Sequence, residues 1–320
     1  MTRQVRHSSY RFPRQRVRRL TAALVLALGA GSADATNYDA ASEADLIAAI
    51  NKANAHSGAD QIRISHDIVL HGPLPVVTDP LTLRGVGLPY AIRRNNTGAN
   101  ACSPTAANAF RLLDASADLT LVNIKLSGGC NLVDQGGAVR VQHAALLLEN
   151  STVTGSQTFV DNPDYHYGAG GGGGVAVRYG SLTLVDSVVS GNAAHGNLAG
   201  GGGAAAYASD LQVVRSTISD NHTSGPGSYG GGIYVINYPL LASVTVSDSV
   251  FVNNSTSGAY SNGGGLAVFN ASSTIVNSQF SGNSVSGYID DRGGGINVVT
   301  SATATTSIDR CTISNNSITT

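Results

Sequence analysis

Hydrophobic and polar positions repeat along this chain from Gly136 onward. Each of six copies opens with a glycine triplet, which is Gly-Gly-Ala in the first copy, and continues with two apolar residues two positions apart. The first apolar residues of successive copies are 36, 29, 29, 33 and 30 positions apart, and they are Val139, Val175, Ala204, Ile233, Leu266 and Ile296. Repeats with periods of about 20–50 residues are typical of solenoid proteins.

A second set of apolar positions predicts further strands in each copy. One column contains Val153, Val189, Ile218, Phe251, Phe280 and Ile313. In most copies the residues five and seven positions earlier are apolar as well. Because residues two apart share one side of a strand, each copy is expected to hold about three short strands around a common core. The pattern therefore predicts a parallel β-helix of roughly eight or nine coils.

An asparagine column supports the same alignment of the copies. Three residues after the second column lie Asn192, Asn221, Asn254, Asn283 and Asn316, with Ser156 in the first copy. Asparagine tolerates left-handed backbone geometry at turns and forms local hydrogen bonds there. Two interpretations stay open, a structural ladder of stacked amides or a polar row that binds a ligand.

The motif Ser/Thr-x-apolar-Ser-x-Asn followed by a glycine triplet, as in residues 187–192 and 201–203, carries a resemblance to known proteins. It resembles the repeats of bacterial right-handed parallel β-helix proteins, notably polymorphic outer-membrane proteins and the wider pectate-lyase-like superfamily. The resemblance covers most of the chain after residue 36 and implies an all-β, right-handed parallel β-helix. Lyases, hydrolases, epimerases and adhesins share this scaffold, so the resemblance implies the fold more than the function.

One helix is predicted before the repeats, over residues 42–54. Ser42 is a suitable N-cap, and Asp45 is the acidic residue three positions later. Leu46 and Ile50 lie on one face of this helix. Since an open β-helix end exposes its core, the helix is expected to cap the N-terminal end.

The predicted organisation has a cap in residues 36–80, which comprises the helix and its entry strands, followed by the β-helix in residues 81–320. The last copy runs to Thr320 without a capping helix. An uncapped end is a template for further pairing. We therefore expect either self-association at this end or a segment missing from the sequence.

Residues 1–35 have the features of a secretory signal peptide. Seven arginines precede an apolar run over residues 20–30, which is too short to span a bilayer, and Ala33-Asp34-Ala35 has the small-x-small pattern of a cleavage site. Cleavage would remove seven of the 19 Lys and Arg residues and one of the 20 acidic residues, leaving a net charge of −7. We expect an exported protein, extracellular or on the outer cell surface or in the periplasm, without a transmembrane segment and without a nucleic-acid partner.

Two of the three cysteines, Cys102 and Cys130, flank one predicted coil, and export would allow them to form a disulfide. No Cys and His spacing indicates a metal site. No cofactor is expected, although the loop aspartates leave calcium open as a ligand.

Asp186, Arg215 and Asp248 occupy one column, at about 4.8 Å per coil. An arginine between two aspartates resembles the calcium-and-arginine arrangement of pectate-lyase-like enzymes. That resemblance implies Arg215 as a base or charge stabiliser, with Asp186 and Asp248 as calcium ligands. The alternative is a cross-strand charge ladder without catalytic chemistry.

The loops before the glycine triplets carry Tyr165, Tyr167, Tyr229, Tyr260 and Tyr288. Stacked along one edge, these rings would form an aromatic stripe able to contact sugars. The alternative is that they cover the apolar base of their own loops.

These observations favour a non-catalytic exported protein that contacts polysaccharide, or a host or neighbouring cell surface, through its stacked loops. The alternative is a polysaccharide lyase or a related carbohydrate-active enzyme. An enzyme needs a walled cleft with converging charged groups, whereas the loops here are short and rich in glycine and serine.

Overall fold

The computed structural model describes residues 35–95, 101–160, 170–237, 242–301 and 303–319. Most of the predicted signal segment, the candidate residues Tyr165 and Tyr167, and Thr320 lie outside the described residues. The described part consists of one helix and short strands that stack into four parallel sheets.

The N-terminal segment caps the stack. Its elements are β1 (Asn37–Ala40), α1 (Glu43–Ala55), β2 (Asp60–Ile64), β3 (Ile68–Leu70), β4 (Leu81–Gly85) and β5 (Tyr90–Arg94). The predicted helix is confirmed, because Ser42 accepts a hydrogen bond from the backbone N–H of Asp45 at 3.2 Å and begins it. Its apolar face buries Leu46 and Ile50 in the same core as the first strands. No helix within the described residues is long and apolar enough to cross a membrane.

The remaining strands follow the repeats. In chain order they are β6 (Leu113–Ala115), β7 (Leu119–Val122), β8 (Ile124–Ser127), β9 (Cys130–Asn131), β10 (Val139–Gln142), β11 (Ala145–Glu149), β12 (Thr152–Thr154), β13 (Gln157–Phe159), β14 (Val175–Arg178), β15 (Ser181–Val185), β16 (Val188–Ser190), β17 (Ala193–His195), β18 (Ala204–Tyr207), β19 (Asp210–Val214), β20 (Thr217–Ser219), β21 (His222–Ser224), β22 (Ile233–Ile236), β23 (Ala242–Ser247), β24 (Val250–Val252), β25 (Ser255–Ser257), β26 (Leu266–Phe269), β27 (Ala271–Val276), β28 (Gln279–Ser281), β29 (Ser284–Ser286), β30 (Ile296–Val299), β31 (Thr306–Asp309), β32 (Thr312–Ser314) and β33 (Ser317–Thr319).

Each full coil passes through four sheets. Sheet A runs from β1 to β31, sheet B from β3 to β32, sheet C from β6 to β30 and sheet D from β9 to β33. The expectation of about three strands per coil was therefore one strand short. The apolar pattern does not predict the strands of sheet D, because their inward residues are small or polar in most coils, such as Thr158, Ala194, Thr223 and Thr256. They do not extend the apolar pattern of the other sheets.

The predicted inward columns form one continuous core. Val153, Val189, Ile218, Phe251 and Phe280 are all 0% exposed, and each occupies the middle of its sheet B strand. The Phe251 and Phe280 rings stack with centroids 4.6 Å apart. Full burial of a large apolar side chain contributes about 1.5–3 kcal/mol. In the last described coil these columns are open, with Ile308 and Ile313 44% and 53% exposed, and the sheet D residue Ile318 is 47% exposed as well.

The asparagine column is a buried ladder between sheets B and D. The side chain of Asn221 donates to the Val189 carbonyl of the preceding coil at 2.9 Å and to Oδ1 of Asn254 at 2.9 Å. Its own Oδ1 accepts from the backbone and side-chain nitrogens of Asn192 at 3.0 and 3.1 Å. Because each amide is used fully by its two neighbours, the ladder interpretation holds for these residues.

The glycine triplets are required by three different contacts. The first glycine has a left-handed φ, which is +71° at Gly201. At the second position, a Cβ on Gly202 would lie 2.3 Å from the His222 carbonyl oxygen on the opposite wall of the coil. At the third position, a Cβ on Gly203 would lie 2.9 Å from Cγ of Asn221. A side chain at any of the three would force the backbone or the ladder to move.

The single departure from the triplet fits this geometry. In the first copy, Ala138 stands at the third position, and the ladder residue of the same coil is Ser156 instead of asparagine. Serine lacks the amide that approaches the third glycine in the other coils. The two substitutions occur together because the shorter ladder side chain leaves room for a methyl group.

A disulfide joins Cys102 to Cys130, with Cα atoms 5.5 Å apart. The buried Arg94 holds the same region, because its guanidinium donates to the carbonyls of Gly128 at 2.7 Å and Asn108 at 2.9 Å. Burial lowers the pKa of Arg94. Together these bonds attach the segment after residue 101 to the coil that follows it.

Two half-buried histidines lie next to each other on the outer side of sheet D. The rings of His195 and His222 have centroids 6.2 Å apart, and Phe159 stacks on His195 at 4.5 Å. Their Nδ1 atoms contact the hydroxyls of Ser224 at 2.7 Å and Ser255 at 2.9 Å. Burial lowers the pKa of both imidazoles, and the charge of His222 lowers that of His195 further.

We expect a double-mutant cycle to show that Gly203 and Asn221 are coupled. Gly203→Ala and Asn221→Ser should each destabilise the chain by about 1–3 kcal/mol, through overpacking and through lost buried hydrogen bonds respectively. Together they should cost at least about 0.5 kcal/mol less than the sum, because serine removes one of the atoms that the new methyl group meets. Urea unfolding measures these values.

Gly72→Ala is the matched control for this cycle, because a Cβ there meets nothing within 4 Å. It should leave the unfolding midpoint unchanged. Strict additivity of the two ladder substitutions would refute the steric link between the third glycine and the asparagine.

The histidine pair predicts a pH-dependent stability. Because the folded pKa values are depressed, the unfolded chain binds protons that the folded chain does not, so the free energy of unfolding falls as pH drops below about 6.5. Urea midpoints measured between about pH 5 and about pH 8 should fall less steeply in the His195→Gln/His222→Gln variant than in the wild type. An equal slope in the double variant would contradict the prediction.

Candidate functional site

Sheet C carries aromatic residues on its outer side. Along each of its strands the first and third residues point into the core, and the second and fourth point outward. Outward positions of a solvated sheet are usually polar. Here they include Tyr207 at the end of β18, Tyr234 in β22 and Phe269 at the end of β26.

Tyr234 is the centre of this aromatic cluster. Its ring lies edge-on to Tyr207 and Phe269, with both centroid distances 5.9 Å, and it stacks on Tyr229 at 5.4 Å. Tyr207 and Tyr234 are only 4% and 2% exposed. The cluster is separate from the main core, so it forms a second, outer apolar layer on sheet C.

Small residues make room for these rings. Ala205 and Ala267 are the neighbours of Tyr234 on the adjacent strands of sheet C. A Cβ on Gly200 would lie 2.2 Å from Cδ1 of Tyr234, and one on Gly171 would lie 2.3 Å from the Tyr207 hydroxyl. The glycines that directly precede the triplets at 172–174 and 201–203 therefore leave the space that an aromatic side chain occupies.

A cleft of about 440 Å³ opens above the cluster, and we call it the aromatic cleft. Tyr207 and Tyr234 form its buried floor. Its other lining residues are Arg178, Tyr179, Ala208, Tyr229, Ile236, Phe269 and Asn270. The volume lies in the range of small-molecule binding sites, which are mostly apolar with a few polar groups.

Three polar groups border the aromatic cleft. Arg178 lies with its Cζ 5.3 Å from the centre of the Tyr179 ring and makes no ion pair among the described residues. The Tyr207 hydroxyl donates to the Gly170 carbonyl at 3.4 Å, and burial raises its pKa, so it stays a neutral phenol. Asn270 adds an amide at the rim, with a left-handed φ of 55°. The cleft therefore offers ring faces, one cation and neutral hydrogen-bonding groups.

A second depression of about 310 Å³ adjoins this cleft, and we call it the polar depression. Its lining residues are Tyr229, Tyr260, Asn262, Phe269, Asp290, Arg292, Asn297 and Val299. Tyr229 and Phe269 line both. The side-chain nitrogen of Asn297 is buried and has no hydrogen-bond partner within the described residues. We call the two adjoining depressions together the groove; its lining is mainly aromatic on one side of Tyr229 and Phe269 and mainly polar on the other.

The three described tyrosines of the predicted aromatic stripe do not all line the groove. Tyr229 lines both depressions, and Tyr260, which is 49% exposed, lines the polar depression. Tyr288 is 74% exposed and lines neither of them. Tyr165 and Tyr167 lie outside the described residues.

The predicted catalytic column lies at the turn between sheets A and B. Asp186, Arg215 and Asp248 all have left-handed φ values, of 48°, 46° and 52°. Arg215 donates two hydrogen bonds to the Asp186 carboxylate, both of 2.7 Å, and the pair is about half exposed. Asp248 instead accepts from Asn277 at 3.3 Å.

This pairing shifts the two pKa values in opposite directions, and each shift favours the charged form of the group. The hydrogen bonds to Asp186 raise the pKa of Arg215, and those from Arg215 lower the pKa of Asp186. A general base needs a pKa close to the working pH, so the pairing favours a permanent ion pair over proton transfer. Among the described residues no group of three or more His, Cys, Asp and Glu side chains is placed to hold a metal ion.

Arg178, Tyr179, Tyr207, Tyr234 and Phe269 were not among the predicted site residues. The predicted sites lay in the loops and in one turn, whereas most of these residues occupy outward positions on the strands of sheet C. The signal was present as aromatic residues at alternate positions that should be polar on a solvated face.

Comparison with known proteins supports the fold assignment. The family model described as right handed beta helix region matches residues 109–318, which is more than half of the chain. No curated protein sequence matches the chain. The four stacked parallel sheets agree with the family match. The chain therefore belongs to the right-handed β-helix family.

Proposed function

We propose that this chain is an exported, non-catalytic β-helix protein that binds glycans in the aromatic cleft. The observation that carries the proposal is the cluster of four aromatic rings on the outer side of sheet C, with a cleft above it. Tyr207 and Tyr234 are buried, whereas Tyr179 is 47% exposed and Tyr229 and Phe269 are half-buried, so these three rings leave apolar surface that a ligand can cover.

The chemistry of the cleft suits a sugar. Sugar rings present apolar C–H faces and polar hydroxyl edges, and tyrosine has the same combination of an apolar ring and a polar tip. Tyr179 and Phe269 offer ring surface at opposite sides of the aromatic cleft. Arg178 and Asn270 supply N–H groups near the rim that can bond to hydroxyl or carboxylate oxygens.

The groups of the cleft support binding more than proton transfer. The Tyr207 hydroxyl is held neutral by burial, as described above. Arg178 is a cation whose planar fork of N–H donors fits oxygen acceptors. Neither group is suited to take or give a proton near neutral pH.

Export rests on two observations. The basic and apolar features of residues 1–35 are those of a secretory signal. The Cys102–Cys130 disulfide fits an oxidising compartment. In such a location, an external polysaccharide or a cell surface is the natural source of glycan.

Binding should be lost when ring surface is removed from the cleft. Against a panel of hexasaccharides of β-1,4-linked glucose, xylose, mannose and N-acetylglucosamine, and of α-1,4-linked galacturonate, we expect at least one to bind. Tyr179→Asn and Phe269→Ala should each weaken that binding about tenfold, which corresponds to about 1.4 kcal/mol. Asparagine suits the left-handed backbone of Tyr179, whose φ is 58°, so the change removes the ring without new strain. Titration calorimetry measures the affinities.

Tyr288→Ala is the matched control, because it removes an exposed tyrosine that lines neither depression. It should leave every affinity unchanged. If no hexasaccharide binds, or if the two cleft variants bind as well as the wild type, the proposed function is wrong.

The lyase alternative has its own assay. The chain would be incubated with uronate polysaccharides, with and without calcium, and followed by ultraviolet absorbance for new unsaturated sugar ends. We expect no signal, because Arg215 is paired with Asp186 at the turn between sheets A and B. A signal that disappears in Arg215→Ala would replace the binding proposal with a lyase.

A further inference from the structure

Two histidines lie next to each other on the outer side of sheet D, a different sheet from the one that carries the groove. His195 is the last residue of β17, His222 is the first residue of β21, and these two strands are neighbours. The ring centroids are 6.2 Å apart, and the ring planes are inclined at 61°. The two residues are distant in the sequence and meet because successive coils stack, so no sequence spacing reveals the pair.

Both rings are oriented by the same kind of contact. Nδ1 of His195 contacts the hydroxyl of Ser224 at 2.7 Å, and Nδ1 of His222 contacts the hydroxyl of Ser255 at 2.9 Å. In each case the serine is the residue aligned with the histidine on the next strand. Phe159 stacks on His195 from the preceding coil. When Nδ1–H donates to a hydroxyl, Nε2 carries the free lone pair, which is how hydrogen bonds orient metal-binding histidines.

The protonation state and the surroundings of the pair favour nitrogen coordination. Burial lowers the pKa of both imidazoles, so both are neutral near neutral pH, as metal ligands must be. The four neighbouring strands β13, β17, β21 and β25 contain no carboxylate. Calcium and magnesium prefer sets of oxygen ligands that include carboxylates, whereas imidazole suits copper, nickel and zinc.

The distance between the rings indicates the coordination geometry. With a metal–nitrogen bond of about 2.0–2.1 Å, the ion lies about 3.2 Å from each ring centre, so two rings that share it are at most about 6.4 Å apart. The observed 6.2 Å is close to that limit. The two nitrogens would then approach the ion at an angle of about 150°, whereas a tetrahedral ion needs ring centres about 5 Å apart. A wide angle suits a square-planar or tetragonal ion.

We propose that Nε2 of His195 and Nε2 of His222 bind one tetragonal divalent transition-metal ion, Cu²⁺ or Ni²⁺, from nearly opposite sides. Among the described residues no third His, Cys, Asp or Glu joins them, so water completes the coordination. The hydroxyl of Ser257 lies 3.4 Å from Nε2 of His222, where it can bond to such a water. Ser224 and Ser255 are positioning residues. This site is independent of the proposed glycan binding.

The test is titration calorimetry of the untagged chain at about pH 7.5, where both imidazoles are neutral. The titrants are Cu²⁺ supplied as its glycine complex, NiCl₂, ZnCl₂ and CaCl₂. We expect one equivalent of Cu²⁺ to bind at least tenfold more tightly than Zn²⁺, with Ni²⁺ between them and no binding of Ca²⁺. The electron paramagnetic resonance spectrum of the Cu²⁺ complex should be tetragonal, with coupling to two imidazole nitrogens.

Three variants identify the ligands. His195→Gln and His222→Gln should each weaken Cu²⁺ binding at least tenfold and reduce the coupling to one imidazole nitrogen. Ser224→Ala should weaken binding about tenfold and keep the two-nitrogen spectrum, because it removes only the group that orients a ligand. The urea midpoint without metal at the same pH should stay unchanged in each variant, which would show that the coils remain folded.

His143→Asn is the matched control. His143 is an exposed histidine whose ring stacks on Tyr179, and asparagine suits its left-handed φ of 57°. This variant should bind Cu²⁺ as the wild type does.

Equal Cu²⁺ affinity in His195→Gln, His222→Gln and the wild type would refute the site, as would an unchanged nitrogen coupling in either variant. Zn²⁺ binding as tightly as Cu²⁺ would refute the tetragonal geometry. None of these results changes the expectation for glycans, because the groove lies on sheet C.

Discussion

The close approach of each coil to its own opposite wall is the constraint on which the rest of this structure depends. At the second glycine of a triplet, a Cβ would meet backbone atoms of the sheet D strand at distances such as 2.3 Å for Gly202 and Gly231. Only glycine permits that approach, and the backbone hydrogen bonds from triplet to triplet then fix the height of every coil. The triplets of successive coils therefore stack on one another in one register.

The close approach at the triplets also determines which side chains fit into the interior beside them. Beside the third glycine there is space for one flat amide, and the asparagines that fill it bond to the coil before and the coil after. A column of buried serines closes the neighbouring turn, where the hydroxyl of Ser216 accepts from the backbone N–H of Ser187 in the preceding coil and donates to the carbonyl of Val214 in its own coil. These two polar ladders satisfy buried groups that would each cost about 1–3 kcal/mol if left unpaired. Between them the apolar columns need only fill volume, which explains why valine, isoleucine and phenylalanine alternate freely there.

Sequence reasoning recovered this interior well because its constraints repeat. The inward columns, the capping helix and the asparagine ladder each leave a periodic mark that a single chain displays. Sheet D left no such mark, since its inward residues Thr158, Ala194 and Thr223 change character from coil to coil. The groove was recovered only in part for the same reason. Tyr229 and Tyr260 lie in the loops before two successive glycine triplets, at different positions of those loops, whereas Tyr207, Tyr234 and Phe269 occupy two different rows on three strands. Their proximity depends on the stacking of coils, which no local pattern expresses.

The groove shows how a scaffold so constrained inside can still acquire a site. Stacking fixes the inward residues, so the outward positions of the strands are free to vary at coil spacing. A bulky ring there needs space beneath it, and in this chain the space is made by a fourth glycine ahead of the triplet, at Gly171 and Gly200. The next coils carry Tyr229 and Asn262 at that position, and there the aromatic floor ends and the polar depression begins. Glycines at close approaches thus bring the coils together and also make room for the aromatic rings. A different residue at the position before the triplet changes the groups that line the groove.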